Sequence, residues 1–143
     1  FAEDMAQRGR GYILLVSSIT AWTPFPTISH YASTKAYLES LGQALWYEYR
    51  GRGVVVTTLM PSAVDTPLYD LSDKMRRRLC LCGVMMSAQS VVRKALKAMF
   101  RGRARCLPGV MTKLEAGFCA IMPRCLMLLV MRIPAVRRIL ERV

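Results

Sequence analysis

GYILLVSSITAWTPFPTISHYASTK, residues Gly11 to Lys35, opens with an unbroken apolar run, Tyr12 to Val16. A short apolar run of this kind suits a strand buried on both faces of a parallel sheet. Ser17 and Ser18 stand where that strand ends, and open α/β sheets bind ligands beyond the carboxyl ends of their strands. Ala21 to His30 reads as a loop, stiffened by Pro24 and Pro26 and made apolar by Trp22 and Phe25. It is either one wall of a substrate pocket or a loop packed on the domain's own surface. A helix follows from Tyr31 to Tyr49. Tyr31 and Lys35 are four apart, one turn, so their side chains share a face. A free phenol is a poor acid or base at neutral pH, and a neighbouring ammonium favours the phenolate. Such a pair can move a proton to or from a substrate oxygen. Ser18, thirteen positions before Tyr31, offers a hydroxyl to the same oxygen. His30 reads as a helix-start residue rather than a catalytic base.

Alone, Tyr-x-x-x-Lys is carried by many solvated helices. The order of the elements adds weight, as does a second constellation. Val54 to Leu59 is rich in β-branched residues and reads as another buried strand. It ends in Pro61-Ser-Ala-Val-Asp-Thr66. Together these features resemble the C-terminal half of a short-chain dehydrogenase/reductase. The resemblance implies a partial Rossmann-like, doubly wound parallel α/β sheet with its last three strands at about 12–17, 54–59 and 103–107. It implies NAD or NADP as cofactor and a small-molecule carbonyl or alcohol substrate of apolar character. Ser18, Tyr31 and Lys35 would be catalytic, with Tyr31 as the acid/base, and Tyr31 and Lys35 would also bind the cofactor, Lys35 on the nicotinamide ribose. The loop holding Pro61, Val64 and Thr66 would close on the nicotinamide, Val64 through its backbone and Thr66 through its hydroxyl. Ser62 departs from the family's glycine. The 31–49 helix would serve a homo-oligomer interface. The family's Gly-rich phosphate turn and a helix asparagine would fall before Phe1. Gly9 and Gly11 precede a strand, whereas a dinucleotide fingerprint follows one. The chain is therefore expected to be a fragment with little activity alone.

Beyond Thr66, Leu68 to Met86 reads either as a mobile lid shaping the substrate pocket or as a surface helix with a basic face. Met85 and Met86 are expected to form an adaptable apolar surface. Ser87 is a candidate N-cap for an amphipathic helix to Arg101, with an apolar stripe of Val91, Val92, Ala95, Leu96 and Met99. Residues 1–110 then form the Rossmann-like part. Residues 111–143 form an apolar, basic helical tail, too interrupted by Pro123, Arg124, Arg132 and Pro134 to span a bilayer. The tail is expected to lie on a membrane surface or to pack on the domain or a partner.

The formal net charge is +12, from 21 Lys and Arg against 9 Asp and Glu. Basic residues cluster at helix faces and ends without interleaved aromatics, which argues against a nucleic-acid platform. Five cysteines and a single distant histidine fit neither a closed disulfide set nor a metal site. They read as reduced, buried thiols of a cytoplasmic protein, peripheral to the inner face of the membrane if the tail docks there. The opposing functional class is a non-catalytic module, for membrane-surface or protein interaction, built on a dehydrogenase half.

Overall fold

The computed structural model describes residues 1–23, 28–67, 72–121, 123, 125, 128–129 and 132. A short helix α1 (Ala2–Gln7) leads through Gly9 into β1 (Gly11–Val16). β2 (Val54–Leu59) lies parallel to β1 from Gly11↔Val54 to Val16↔Leu59. β5 (Arg105–Cys106) adds to the other side of β2, giving the order β1-β2-β5. The third strand is shorter than the expected 103–107. It pairs only Thr58 with Arg105 and Leu59 with Cys106, the flanking Ala104 and Cys106 carbonyls accept from the Thr58 and Met60 amides, and Pro108 has no N–H to extend the ladder.

Two long helices cover the two faces of this sheet, as alternating side-chain direction requires. The first, α2 (Ser29–Tyr49), packs against the face that carries Leu15 and Thr58. It begins two residues before Tyr31 without a side-chain cap. It closes through Gly51 (φ +91°) and Gly53 (φ +79°), the left-handed positions that glycine serves at helix ends. The second, α4 (Ala88–Phe100), packs against the opposite face. There Val91, Ala95 and Ala98 form a core with Leu59 and Cys106, joined by Leu14, Val64 and Met86. Ser87 caps it, its Oγ accepting from the Ser90 amide. The buried stripe of α4 is Val91, Ala95, Ala98 and Met99. Val92 and Leu96, expected on that stripe, are exposed, because at 100° per residue they fall outside the arc that runs from Ala98 through Val91 and Ala95 to Met99. A helix on each face of a parallel sheet makes this a doubly wound, Rossmann-like α/β fold.

A second, two-stranded sheet lies beside the first. β3 (Ala63–Asp65) and β4 (Met85–Ser87) run parallel, with α3 (Asp73–Leu81) between them in sequence. This corrects one expectation. Met85 is buried and Met86 packs on the core, so they hold the fold rather than present an adaptable surface. Of the two readings of the stretch before them, the surface helix with a basic face matches α3, which is N-capped by Ser72 and exposes Lys74, Arg77 and Arg78. Residues 68–71 lie outside the described residues. Arg76 Nη1 stands 3.1 Å from Asp65 Oδ1, close enough for an ion pair though not aligned as a hydrogen bond, and ties α3 to β3.

The cysteines also divide. Cys106 and Cys119 are buried, and burial pushes both thiols up from their ordinary value. Cys80, Cys82 and Cys125 are exposed, against the expectation of uniformly buried thiols. The last described helix, α5 (Val110–Ile121), packs Thr112, Ala116 and Cys119 inward against the 3₁₀ turn Ile19–Trp22.

Candidate active site

The carboxyl ends of β1 and β2 open side by side onto a cleft of about 510 Å³. Its walls come from three places. The end of β1 and the turn after it supply Val16 to Thr20. The first turns of α2, with Ile28 just before them, supply Tyr31 and Lys35. The loop after β2 supplies Pro61 to Val64 and Thr66. Ser18, Tyr31, Lys35, Pro61, Val64 and Thr66, the six residues singled out from the sequence, therefore line one cavity. Its size is ordinary for a small-molecule site. His30 is exposed at the start of α2 and is not among the lining residues. Of the loop expected as a wall, Pro24 to Thr27 lie outside the described residues. Trp22 has the Arg105 guanidinium 5.7 Å from its ring centroid.

Backbone hydrogen bonds fix the rim. The Ser17 amide donates to the Leu59 carbonyl at 2.8 Å, and the Ile19 amide to the Pro61 carbonyl at 3.2 Å. The serine turn and the Pro61 loop are thus stitched together beyond the last ladder pair. Ser18 is extended (φ −157°, ψ 160°) and its Oγ accepts from the Thr20 amide at 3.2 Å. A hydroxyl that accepts there keeps its own hydrogen to donate into the cleft. Lys35 Nζ donates to the Val16 carbonyl at 2.9 Å and lies 5.3 Å from the Tyr31 ring centroid. One of its three donors is committed to the strand end, and the ammonium is held beside the phenol. Tyr31 is about half exposed, with its ring in the cleft lining. Across the cleft, Thr66 Oγ1 reaches back to the Val64 carbonyl at 3.4 Å. Ser62, at the family's glycine position, also stands in the wall.

Sequence reading gave no role to Ser17, Ile19, Thr20, Ile28 or Ala63. Ser17 carries the clearest one. It is buried, and its Oγ donates to the Lys35 backbone carbonyl at 2.7 Å, locking α2 against the end of β1 at the turn that bears Lys35. No local pattern signals a bond between residues eighteen apart in sequence. The adjacent serines thus have separable effects. Ser17→Ala is expected to lower unfolding free energy by about 1–2 kcal/mol with little change in turnover. Ser18→Ala, which removes the hydroxyl that caps the Ile19–Trp22 turn through the Thr20 amide, is expected to cost about 1 kcal/mol as well and to cut turnover about a hundredfold, the scale of losing one donor to a reacting oxygen. Urea denaturation and steady-state rates on both variants check the split, and equal rate losses would refute it.

Residues 1–77, slightly more than half of the chain, match the family model described as short chain dehydrogenase. The chain belongs to the short-chain dehydrogenase family. Among curated relatives of this chain, mouse 17-beta-hydroxysteroid dehydrogenase type 3 is 32% identical over 105 residues, covering 73% of this chain and 32% of that protein. Mouse very-long-chain 3-oxoacyl-CoA reductase is 30% identical over 120 residues, covering 84% of this chain and 36% of that protein. The chain thus spans about a third of the length of these relatives. Among solved structures, a short chain dehydrogenase from Burkholderia cenocepacia J2315, determined in complex with NADP, superposes with a TM-score of 0.67 at 20% identity. That match covers 88% of this chain and 49% of the other. It shows the shared fold. The family is one of oxidoreductases, and its solved members include proteins bound to nicotinamide cofactors.

Whether the residues present suit such a cofactor is a question for the cleft itself. Lys35 has donors to spare, Val64 and Thr66 line the same cleft, and Thr20 Oγ1 is buried without a hydrogen-bond partner among the described residues. That donor set fits the nicotinamide and ribose end of the cofactor.

Proposed function

We propose that the protein is an NAD(P)-dependent oxidoreductase that interconverts a carbonyl and an alcohol, with Tyr31 as its acid/base. The observation that carries this reading is the convergence of Ser18, Tyr31 and Lys35 with Pro61, Val64 and Thr66 on one cleft at the strands' carboxyl ends. A bound nicotinamide supplies or accepts the hydride. Lys35 and Thr66 would hold its ribose and carboxamide end, with the Val64 backbone. The rest of the work falls to this chain's side chains. Reduction leaves negative charge on the substrate oxygen, which must be protonated. Tyr31 gives that proton from its hydroxyl, and Ser18 donates a hydrogen bond to the same oxygen and fixes its position. Lys35, beside the phenol, stabilises the phenolate that remains. In the oxidation direction the same groups run in reverse, with the phenolate taking the alcohol proton.

The lining fits a bulky apolar substrate. Val16, Ile19, Ile28, Pro61, Ala63 and Val64 supply hydrocarbon around the polar group of Ser18, Tyr31 and Lys35. The protein expressed from its complete reading frame is expected to consume NADH or NADPH in the presence of a panel of bulky ketones. The measurement is loss of reduced-nicotinamide absorbance, with cofactor binding followed separately by fluorescence. Absence of both binding and turnover across the panel would overturn the reading.

A further inference from the structure

The helix α5 has two apolar faces and only one of them is covered. Thr112, Ala116 and Cys119 are buried toward the domain. On the opposite side Val110 is 74% exposed, Leu114 63%, Phe118 50% and Ile121 81%. At 100° per residue these four fall within about a quarter of the helix circumference, and the buried three lie diametrically across from them. Lys113 and Glu115 stand on the two flanks. Further along, Leu128 and Leu129 are exposed as well. Among the described residues no helix is long and apolar enough to cross a membrane.

Charge decides what covers this face. From residue 111 onward the sequence carries Lys113, Arg124, Arg132, Arg137, Arg138 and Arg142 against Glu115 and Glu141 only. The whole chain carries +12, so a second copy would bring a second large positive charge to the same contact. A surface that is apolar below and negatively charged above satisfies both features. We propose that the exposed stripe of α5 docks on an anionic lipid surface, with its axis in the plane of the bilayer and Val110, Leu114, Phe118 and Ile121 immersed in the acyl boundary. Because α5 packs on the Ile19–Trp22 turn, and Ile19 and Thr20 line the cleft, docking there brings the cleft close to the membrane. The docking itself does not depend on the oxidoreductase reading.

The test is co-sedimentation of the full chain with vesicles of phosphatidylcholine alone and of phosphatidylcholine with phosphatidylserine. Binding is expected to the mixed vesicles, to fall with added salt, and to be much weaker to phosphatidylcholine alone. Leu114→Glu/Phe118→Glu is expected to weaken it by roughly a hundredfold. The milder Leu114→Ala/Phe118→Ala, which removes apolar area without adding charge and keeps good helix formers, is expected to weaken it by roughly tenfold. Circular dichroism shows whether either variant retains its helix content. No binding by the parent chain, equal binding to both vesicle types, or binding unmoved by the alanine pair would each overturn the proposal. So would gel filtration showing a dimer that the alanine pair dissociates, which would assign the stripe to a second copy.

Discussion

Tyr31→Phe, made in the protein expressed from its complete reading frame, is expected to lower turnover about a thousandfold, within the range that positioned acid/base groups supply. Cofactor affinity should stay within about twofold. The substitution removes one oxygen and keeps the ring. Lys35 keeps its bond to the Val16 carbonyl and its place near the ring face, so the cleft wall is preserved. What disappears is the proton for the substrate oxygen. Lys35→Met makes the contrasting case. It removes the ammonium beside the phenol and the bond to Val16, so both turnover and nicotinamide binding should fall, where Tyr31→Phe moves only the first. Steady-state rates together with fluorescence titration of the nicotinamide separate the two. A Tyr31→Phe enzyme with near-parent turnover would remove Tyr31 from the chemistry and leave the cleft as a binding site.

Much of the frame behind that experiment was legible before any coordinates. The apolar run of β1 and the β-branched run of β2 are short and set a helix apart, which is how a parallel sheet with a crossover helix writes itself. Ser87 announces α4, and the glycines at 51 and 53 announce the end of α2. The candidate site was readable for the same reason. Its residues sit at the ends of these regular elements, so their spacing in sequence reflects their spacing in space.

The parts that were not legible depend on contacts between distant segments. β3 and β4 have three residues each and pair in parallel across twenty-two positions, with no alternation long enough to read. Their pairing carries Met85 into the core, where hydrophobicity alone had placed it on an adaptable surface. Ser17 looked like a mere neighbour of Ser18 because its partner, the Lys35 carbonyl, is a backbone group that no residue type advertises. The apolar stripe along 111–121 was visible as composition. Only the packing of α5 shows which side of it is covered.

The same dependence on distant contacts governs Gly42, seven residues past Lys35 on α2 and buried against β2. A methyl at this position would overlap Thr58 Oγ1 and come within 3.1 Å of Leu15 Cδ1. Thr58 is itself fully buried in the sheet, so it has no room to withdraw. Two effects oppose one another in Gly42→Ala. Alanine gains about 1 kcal/mol of helix propensity over glycine, while forcing an extra carbon into a packed contact costs about 1–3 kcal/mol. The clash is with a short, β-branched side chain rather than with the end of a flexible one, so the cost is expected to prevail. Gly42→Val adds two further methyls and is expected to lose about 3 kcal/mol or more, a large share of the stability of an ordinary domain. Thr58→Ala isolates the cause. It removes Oγ1 and leaves Cβ 3.4 Å from the added methyl, an ordinary contact. In that background the cost of Gly42→Ala should shrink towards zero, because what remains is the propensity gain set against the 3.1 Å approach to Leu15 Cδ1, the far end of a flexible side chain. Urea denaturation of the four proteins of this cycle gives the coupling directly. Additive losses would mean that the approach of α2 to β2 is set elsewhere. Strong coupling would show that the close Gly42–Thr58 contact sets the depth at which α2 sits, and with it the reach of Lys35 and Tyr31 into the cleft, about two and three turns away.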